Sequence, residues 1–466
     1  MKRRAASPQI GDLLELAIEK LIFRGMGLAR WAGVTVFVPC SAEGDILRAR
    51  VTQVKGDYLE AETEEILFPS SQRTQPFCRH FPACGGCQWQ HLSLVAQRDC
   101  KAKILCEQLY PLQRWGKLPS WEILPASRPE AYRTRAQIKV RREGNRSRLG
   151  FFRRRSRDLE EVDTCALLHP DLQGIHHSLR DLQYPTLAQL FPALKEVWIQ
   201  RGSPDGEAVL ALIAPFGGKH ALRLLYQRLK EVCPNLGGIV LASRFERAAF
   251  DVVGNPWVKM AISGLELKVG PTCFYQGGGE GAEGIFQVVE TWAELGKRER
   301  VLDLYCGVGA FSLPLARSAE EVVGVEAHLE AAILAKENAE RAGLSNVTVF
   351  HGMVEEVLLR DNMGDVFDLV ILDPPRSGLS RKAMKGLLRL ACPRIIYISC
   401  DPSTLSRDLN HLIEQGYECL RIQPLDLFPQ TYHMEVLVLL ERGSQEHRRG
   451  ALGPSRSSLE KSLEGT

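Results

Sequence analysis

Short apolar runs alternate regularly with amphipathic segments in the C-terminal part of the chain. The apolar runs predict strands at Val301–Tyr305, Glu321–Val325, Val347–His351, Phe367–Leu372, Arg394–Ser399, Glu418–Leu425 and Met434–Leu440. Helical periodicity falls between them at Ala331–Ala342, Ser380–Leu390 and Ser406–Glu414. This βαβ repetition predicts a Rossmann-like α/β domain with a mostly parallel, doubly wound sheet.

The N-terminal part reads differently, as five short strands separated by glycine-containing turns. They are predicted at Leu13–Ile18, Gly27–Arg30, Thr35–Val38, Asp45–Val54 and Tyr58–Ile66. This pattern favours a small, OB-like β-barrel. We therefore predict a barrel at 10–68, a central α+β domain at 69–269, the α/β domain at 270–442 and a disordered tail at 443–466, where polar residues lack an apolar period.

Composition sets the class of protein. Of the 466 residues, 45% are hydrophobic and 25% charged, which is ordinary for a globular domain. No apolar run approaches the roughly 18 residues of a membrane span, and the basic start lacks an apolar signal core. We expect a cytoplasmic protein without a membrane partner. In that setting, thirteen cysteines favour metal binding or catalysis over disulfides.

Positive charge is concentrated in one segment. Between Arg133 and Arg157 the chain has eleven Lys or Arg and one acid, Glu143, although the net charge of the whole chain is only +3. Alternating apolar and polar residues predict a hairpin here, and Phe151 and Phe152 add aromatic side chains. A basic hairpin with aromatics suits a phosphate backbone and stacked bases, so it predicts RNA contact, with a solvated ribbon as the alternative.

Four cysteines have the spacing of a metal centre. Cys78, Cys84 and Cys87 form a C-x5-C-G-G-C pattern, in which the two glycines let the backbone wrap a bulky centre. Cys165 is the best candidate for a fourth thiolate. Four thiolates suit either an iron–sulfur cluster or zinc, and both stay open at this point.

A glycine turn and an acid predict a nucleoside-containing cofactor. The segment Asp303–Gly309, Asp-Leu-Tyr-Cys-Gly-Val-Gly, follows a predicted strand, and Glu326 ends the next one. An acid at that position accepts hydrogen bonds from ribose hydroxyls. Because the turn matches neither G-x-G-x-x-G nor a P-loop, it favours S-adenosylmethionine over dinucleotides or triphosphates.

Three further polar residues stand at strand ends. Asp373 opens an Asp-Pro-Pro-Arg loop, Cys400 follows a buried run, and Glu435 begins the last predicted strand. A thiolate that adds to carbon 6 of uracil activates carbon 5 for methylation, and a base must then remove the carbon 5 proton. The set therefore predicts this chemistry, against the alternatives of a buried structural cysteine and a solvated glutamate.

These motifs resemble those of the RNA uracil-5-methyltransferase family, closest to the ribosomal type with an iron–sulfur cluster and an N-terminal TRAM barrel. The most specific matches are Ser399–Leu409, Asp426–Glu435 and the cysteine set. The resemblance implies Cys400 as nucleophile and Glu435 as base. It implies a [4Fe-4S] cluster on Cys78, Cys84, Cys87 and Cys165, and S-adenosylmethionine contacts from Gln276, Tyr305, Glu326 and Asp373.

The function implied is methylation of carbon 5 of a uridine in RNA, with 23S rRNA favoured, by a protein expected to be a monomer. Methylation of tRNA and a non-catalytic RNA-binding or ribosome-assembly role are the alternatives. A cytosine-5-methyltransferase is disfavoured because Pro374-Pro375 stands where such enzymes have Pro-Cys. Three departures from the family pattern, Gly277-Gly278-Gly279, Ala310 and Met353, leave the details of donor binding and the target nucleotide open.

Overall fold

The structure, a computed structural model, describes residues 8–443 apart from 126–127, 183–185, 204, 244–248, 276–278 and 360–365. Almost all of the predicted disordered tail thus lies outside the described residues. Among the residues that are described, no helix has both the length and the apolar composition needed to cross a membrane.

The N-terminal strands close into a barrel, as predicted. They are β1 (Leu13–Leu21), β2 (Met26–Trp31), β3 (Val34–Pro39), β4 (Ile46–Val54) and β5 (Tyr58–Phe68), in the order β1-β2-β3-β5-β4. Leu14, Leu16 and Ile18 alternate with exposed residues and fill the barrel core. Closure leaves no unpaired sheet edge.

The chain next forms α1 (Leu94–Leu109), a 3-10 helix (Tyr110–Trp115) and the two-residue strand β6 (Leu124–Pro125). A central sheet follows. Its strands are β7 (Arg135–Glu143), β8 (Arg146–Phe152), β9 (Leu159–Glu161), β10 (Glu196–Arg201), β11 (Ala208–Ile213), β12 (Leu236–Ala242) and β13 (Ala249–Gly254), in the order β13-β12-β11-β10-β7-β8-β9. The helices α2 (Pro170–Arg180), α3 (Leu187–Leu190) and α4 (Lys219–Val232) pack on it around a shared apolar core.

The predicted basic hairpin is formed by β7 and β8, but its charge is partly neutralised. Among the described residues, several of its basic side chains pair with carboxylates, most of them on β9 and neighbouring strands; these include Lys139, Arg146, Arg148, Arg153 and Arg155. Arg155 reaches Glu60 of the barrel at 2.8 Å, and Arg154 donates to the Cys40 sulfur at 2.5 Å. The hairpin therefore also fastens the barrel to the central sheet.

The hairpin of β14 (Val258–Ile262) and β15 (Leu265–Val269) shares an apolar core with the α/β domain, although it lies within the range predicted as the central domain. The remaining strands are β16 (Arg300–Leu304), β17 (Glu321–Glu326), β18 (Val347–His351), β19 (Leu369–Leu372), β20 (Arg394–Ser399), β21 (Tyr417–Asp426) and β22 (Glu435–Arg442). The helices are α5 (Gly279–Ala293), α6 (Ser312–Ala316), α7 (Leu329–Arg341), α8 (Val354–Val357), α9 (Arg381–Leu390) and α10 (Pro402–Glu414).

Together with β6, seven of these strands form one eight-stranded sheet in the order β18-β17-β16-β19-β20-β22-β21-β6. The five from β18 to β20 are parallel, whereas β22 is antiparallel to both of its neighbours. Apolar cores cover the two faces of the sheet. This is the doubly wound architecture that the sequence predicted. The last strand, β22, lies between β20 and β21.

Helix α1 packs on the eight-stranded sheet, although it lies within the range predicted as the central domain. Leu105 and Leu109 share an apolar cluster with Leu405 and Leu409 of α10. Strand β6 then pairs with β21 at the sheet edge. Local periodicity could indicate the helix but not its partner, because the two helices are far apart in the sequence.

Candidate active site

The strand register brings Cys400 and Glu435 together. Antiparallel β20 and β22 pair Ser399 with Val436, so the next residues outward, Cys400 and Glu435, stand opposite each other. On the other side of β20, Leu372 pairs with Tyr397, which places Asp373 at the same edge. The thiol, the carboxyl group and the Asp373 loop thus share the carboxyl-terminal edge of the sheet, where open α/β sheets bind ligands.

The Cys400 thiol lies half-buried among charged groups. Burial, followed by the Glu435 carboxylate, raises its pKa to about 12, while the Arg376 guanidinium acts in the opposite direction. Arg376 is exposed and lies 3.4 Å from the His433 Nε2. Because burial and the same arginine lower the pKa of His433 to about 3, its neutral ring can accept this bond. Arg376 is therefore the cation that favours the thiolate.

Glu435 is nearly inaccessible, with 2% of its surface exposed. Burial, with a contribution from Asp373, raises the pKa of its carboxyl group well above the usual 4.5. One carboxyl oxygen, Oε2, has no hydrogen-bond partner among the described residues. A buried carboxyl group with a raised pKa and an unused oxygen is suited to proton transfer.

Helix α10 holds the loop that follows Asp373 through side-chain hydrogen bonds. Asp401 caps the helix by accepting the backbone N–H groups of Ser403 and Thr404. Asp408 accepts the Leu379 N–H at 2.8 Å, and Arg407 donates to the Ser377 carbonyl at 2.9 Å. The Ser399–Leu409 motif is thus a brace between two loops of the site, a role that sequence reasoning missed.

The glycine turn after β16 is the predicted donor site. Gly307 and Gly309 have φ values of +58° and +92°, where glycine avoids the strain of a Cβ, and Tyr305 adopts +68°. The Glu326 carboxylate accepts the Gly307 N–H at 2.9 Å and the His328 N–H at 2.6 Å. Glu326 therefore links the turn to the start of α7 at the end of β17.

Two further buried polar atoms lack partners among the described residues: Asp303 Oδ1, near the end of β16, and the Tyr275 hydroxyl. The other Asp303 oxygen accepts the Ser312 hydroxyl, and burial raises the Asp303 pKa to about 7. Unsatisfied groups of this kind fit a polar cofactor. Sequence reasoning used Asp303 only as the start of the turn; its position, buried at the end of a central strand, was the available signal.

Of the three departures from the family pattern, the structure describes Ala310 and Met353 but only part of the Gly277-Gly278-Gly279 segment. Gln276, predicted to contact the donor, lies outside the described residues, as do Gly277 and Gly278. Ala310 is half-buried against the apolar core, and Met353, 47% exposed, precedes α8 without a side-chain cap. An apolar side chain at this point offers no hydrogen bond to a cofactor.

The four predicted ligands Cys78, Cys84, Cys87 and Cys165 line one cavity. Burial raises the pKa of Cys78, Cys84 and Cys87, that of Cys84 to about 12, and the nearby Cys165 adds to each of these shifts. The Gln90 amide donates to Cys87 Sγ at 3.2 Å, the Gly86 N–H to Cys84 Sγ at 3.4 Å, and Arg133 adds a nearby cation. Such donors stabilise thiolates and fit a thiolate-ligated centre.

A second set of potential metal ligands lies outside the cysteine cavity. Within the described residues, the group of three ligand atoms within 4.8 Å of one another belongs to Cys273, His328 and Glu330, not to the four cysteines. His328 Nδ1 and Glu330 already accept Ala331 N–H and the Thr272 hydroxyl, so they serve the α7 cap.

A doubly wound sheet with a glycine turn, an acid at the end of the second strand and further acids at the same edge defines the fold and site of an S-adenosylmethionine-dependent methyltransferase. Comparisons with known proteins narrow this class. Residues 269–443 match the family model described as tRNA (Uracil-5-)-methyltransferase, and residues 9–63 match the TRAM domain.

Curated relatives match along nearly the whole chain. A protein of Thermosynechococcus vestitus named "Uncharacterized RNA methyltransferase" is 33% identical over 93% of this chain and 98% of its own. The 23S rRNA (uracil(1939)-C(5))-methyltransferase RlmD of Aeromonas hydrophila is 31% identical over 95% and 98%. The chain therefore belongs to the RNA uracil-5-methyltransferase family.

A solved structure shows the same fold. The Pyrococcus abyssi tRNA (uracil-54, C5)-methyltransferase in complex with S-adenosyl-L-homocysteine superposes with a TM-score of 0.69, covering 91% of this chain and 99% of its own. Its sequence identity is 23%. The methyltransferase fold predicted from the sequence is thereby confirmed.

Proposed function

We propose that this protein methylates carbon 5 of a uridine in RNA, with Cys400 as nucleophile and Glu435 as base. The observation that carries the proposal is the register of β20 and β22, which sets a half-buried thiol opposite a buried carboxyl group. A covalent route needs both groups at one face of the base. The family assignment supports the same chemistry independently of this geometry.

The residues divide the reaction between them. The Cys400 thiolate, favoured by Arg376, adds to carbon 6 of uracil, and the electron pair of the 5,6 double bond moves toward carbon 4 oxygen. S-adenosylmethionine, when bound, supplies the methyl group for carbon 5. Glu435 then takes the carbon 5 proton, the double bond re-forms and the Cys400 sulfur leaves. The uridine must be flipped out of any helix to reach this edge.

The proposed donor contacts are Glu326, Tyr305, Asp373 and Gln276. Strand register supports the first three. Leu304 pairs with both Val325 and Leu372, so the next residue of each strand or strand end, Tyr305, Glu326 and Asp373, lies in one row. The role proposed for Glu326 is to accept ribose hydroxyls, as acids at this point do in Rossmann-like folds. Asp303, which precedes Leu304 in β16, adds an unsatisfied carboxyl oxygen close to that row.

We propose 23S rRNA as the substrate, with tRNA as the alternative. Relatives that match over nearly their full length carry the 23S rRNA name. The protein is proposed to act as a cytoplasmic monomer, with the barrel and central domain binding RNA around the catalytic domain.

Purified protein with labelled S-adenosylmethionine and in vitro transcripts should label 23S rRNA at least about tenfold faster than a tRNA mixture. We expect this because each mismatched base in a recognised nucleic-acid site typically costs on the order of 1–3 kcal/mol of binding free energy. Mass spectrometry of digested RNA should show 5-methyluridine. Labelling of tRNA alone would move the substrate to the alternative class, and labelled cytidine would overturn the proposal.

We also propose a [4Fe-4S] cluster on the four cysteines, where it would cross-link the C-x5-C-G-G-C turn to Cys165. Anaerobically purified protein should be brown and contain about four iron and four sulfide per chain. Cys165→Ser should lose most of both, while Cys106→Ser, at an exposed cysteine outside the cavity, should keep them. A colourless protein containing zinc would contradict the cluster.

A further inference from the structure

The loop between β21 and β22, residues 427–434, leads directly into Glu435 and is held from outside the α/β domain. At its centre Gln430 adopts a φ of +70°, which is unfavourable for a residue with a Cβ. The Gln97 amide of α1 holds it in place by accepting the Gln430 N–H at 2.7 Å and donating to Gln430 Oε1 at 3.0 Å. Both side chains are buried.

The cysteine-rich turn holds the same residue from another direction. The Gln430 carbonyl accepts the backbone N–H groups of Gln88 and Trp89, both at 3.0 Å. Gln88 and Trp89 directly follow Cys87 in the chain. The Tyr132 hydroxyl donates to the neighbouring Pro429 carbonyl at 3.0 Å. Elements that carry no proposed reacting group thus hold the middle of the loop.

The start of the loop is fixed by a buried ion pair. Lys101 of α1, with no exposed surface, donates to Asp426 at 2.5 Å and to the Phe428 carbonyl at 3.1 Å. Removing an ammonium group and a carboxylate from water costs several kcal/mol for each, and apolar replacements of such pairs are often neutral or stabilising. The pair is therefore poorly explained by stability, whereas its geometry restrains the loop at two points.

The N-terminal barrel also contacts this loop. Phe23 meets Tyr432 edge to face at 5.6 Å between ring centroids, and the Trp89 indole donates to the Gly25 carbonyl at 3.2 Å. Gly25 lies so close that an added Cβ would approach Tyr432 at 3.3 Å. Barrel, cysteine-rich turn and α1 converge on one loop, and the residue that follows this loop is Glu435.

We infer that Gln97 and Lys101 are positioning residues that place Glu435 for removal of the carbon 5 proton, an inference that rests on the proposed function. A displacement of about 1 Å in a reacting group can cost roughly 100-fold in rate. The loop enters β22 at its first residue, so a shift of the loop is transmitted to Glu435. Cys400 sits on a separate element, between β20 and α10. The loop meets the surroundings of Cys400 at His433, which lies 3.4 Å from Arg376, whereas Gln97 and Lys101 hold the earlier residues Asp426, Phe428 and Gln430.

The separation of the two steps supplies the test. Lys101→Met and Gln97→Met should lower kcat roughly 100-fold, keep KM for a 23S rRNA transcript within about threefold, and accumulate a covalent protein–RNA adduct on a denaturing gel. Lys103→Met, at an exposed residue on the same helix that pairs with Glu43, should behave as the unmodified protein. The adduct distinguishes a misplaced base from a damaged fold, which would lose adduct and product together.

Lys101→Met leaves Asp426 buried without its partner and can unfold the protein, so Lys101→Met/Asp426→Leu provides the apolar replacement of the pair. This folded double variant should still accumulate adduct. The inference is overturned if the double variant and Gln97→Met both have the kcat of the unmodified protein. It is also overturned if these variants lose adduct and product equally. Cys400→Ala in the same assay distinguishes failure of the proposed function from failure of the positioning role. Activity in Cys400→Ala refutes the proposed function. If Cys400→Ala is inactive while the Lys101 and Gln97 variants are fully active, only the positioning role is refuted.

Discussion

Replacing Cys400 by alanine should abolish methyl transfer, with a loss of at least about 10⁴-fold in kcat, as expected when a covalent nucleophile is removed. Without the sulfur no adduct forms at carbon 6, so carbon 5 stays a poor nucleophile. Affinity for RNA should change less than about threefold, because the barrel and central domain lie outside the substitution. Labelled methyl incorporation and filter binding on one 23S rRNA transcript measure the two quantities.

Cys419 offers the matched control for this substitution. It is half-buried in the same sheet, and burial raises its pKa to about 12, as for Cys400. The pKa of Cys419 is shifted by burial, whereas Cys400 also interacts with Arg376 and Glu435. Cys419→Ala should therefore keep its activity. Methylation by Cys400→Ala at a rate near that of the unmodified chain would exclude the covalent route.

The positions of the proposed nucleophile and base could be predicted because they depend on local signals. Cys400 follows the five-residue run Ile395–Ser399, and Glu435 precedes the apolar run Val436–Leu440, so each was expected at a strand end. Carboxyl ends of parallel strands share one edge, and this accounts for Asp373 and Cys400. Glu435 reaches that edge by a different path, since it begins a strand that runs antiparallel to β20.

The supports of the site could not be predicted in the same way. Lys101 and Gln97 occupy an ordinary helical segment, and their partners Asp426 and Gln430 lie more than 300 residues further along the chain. No local periodicity encodes such a pair. The charge of the basic hairpin was overestimated for a related reason, because glutamates outside the basic stretch neutralise part of it after folding.

Replacing Glu435 by glutamine should trap the reaction after methylation. The variant keeps the shape of the side chain and leaves the Cys400 thiol in place, so the carbon 6 adduct still forms. Glutamine cannot accept the carbon 5 proton, so the sulfur cannot leave, and turnover should fall roughly 10³-fold while a protein–RNA adduct survives denaturation. Glu441→Gln, at the far end of the same strand, should turn over without adduct.

Stability supplies an independent readout of the same carboxyl group. Its pKa is raised in the folded state above 4.5, so between pH 4.5 and the folded value the folded chain holds a proton that the unfolded chain has lost. The folded state therefore becomes less stable relative to the unfolded state as pH rises through this window. The folded chain must either hold a proton that the unfolded chain has released or bury a carboxylate that lacks a compensating partner. Glu435→Gln removes this dependence, so the variant should melt above the unmodified chain at pH 8 and together with it near pH 4. A variant that melts lower at pH 8 would show that the Glu435 carboxyl group stabilises the fold at that pH, which contradicts the raised pKa.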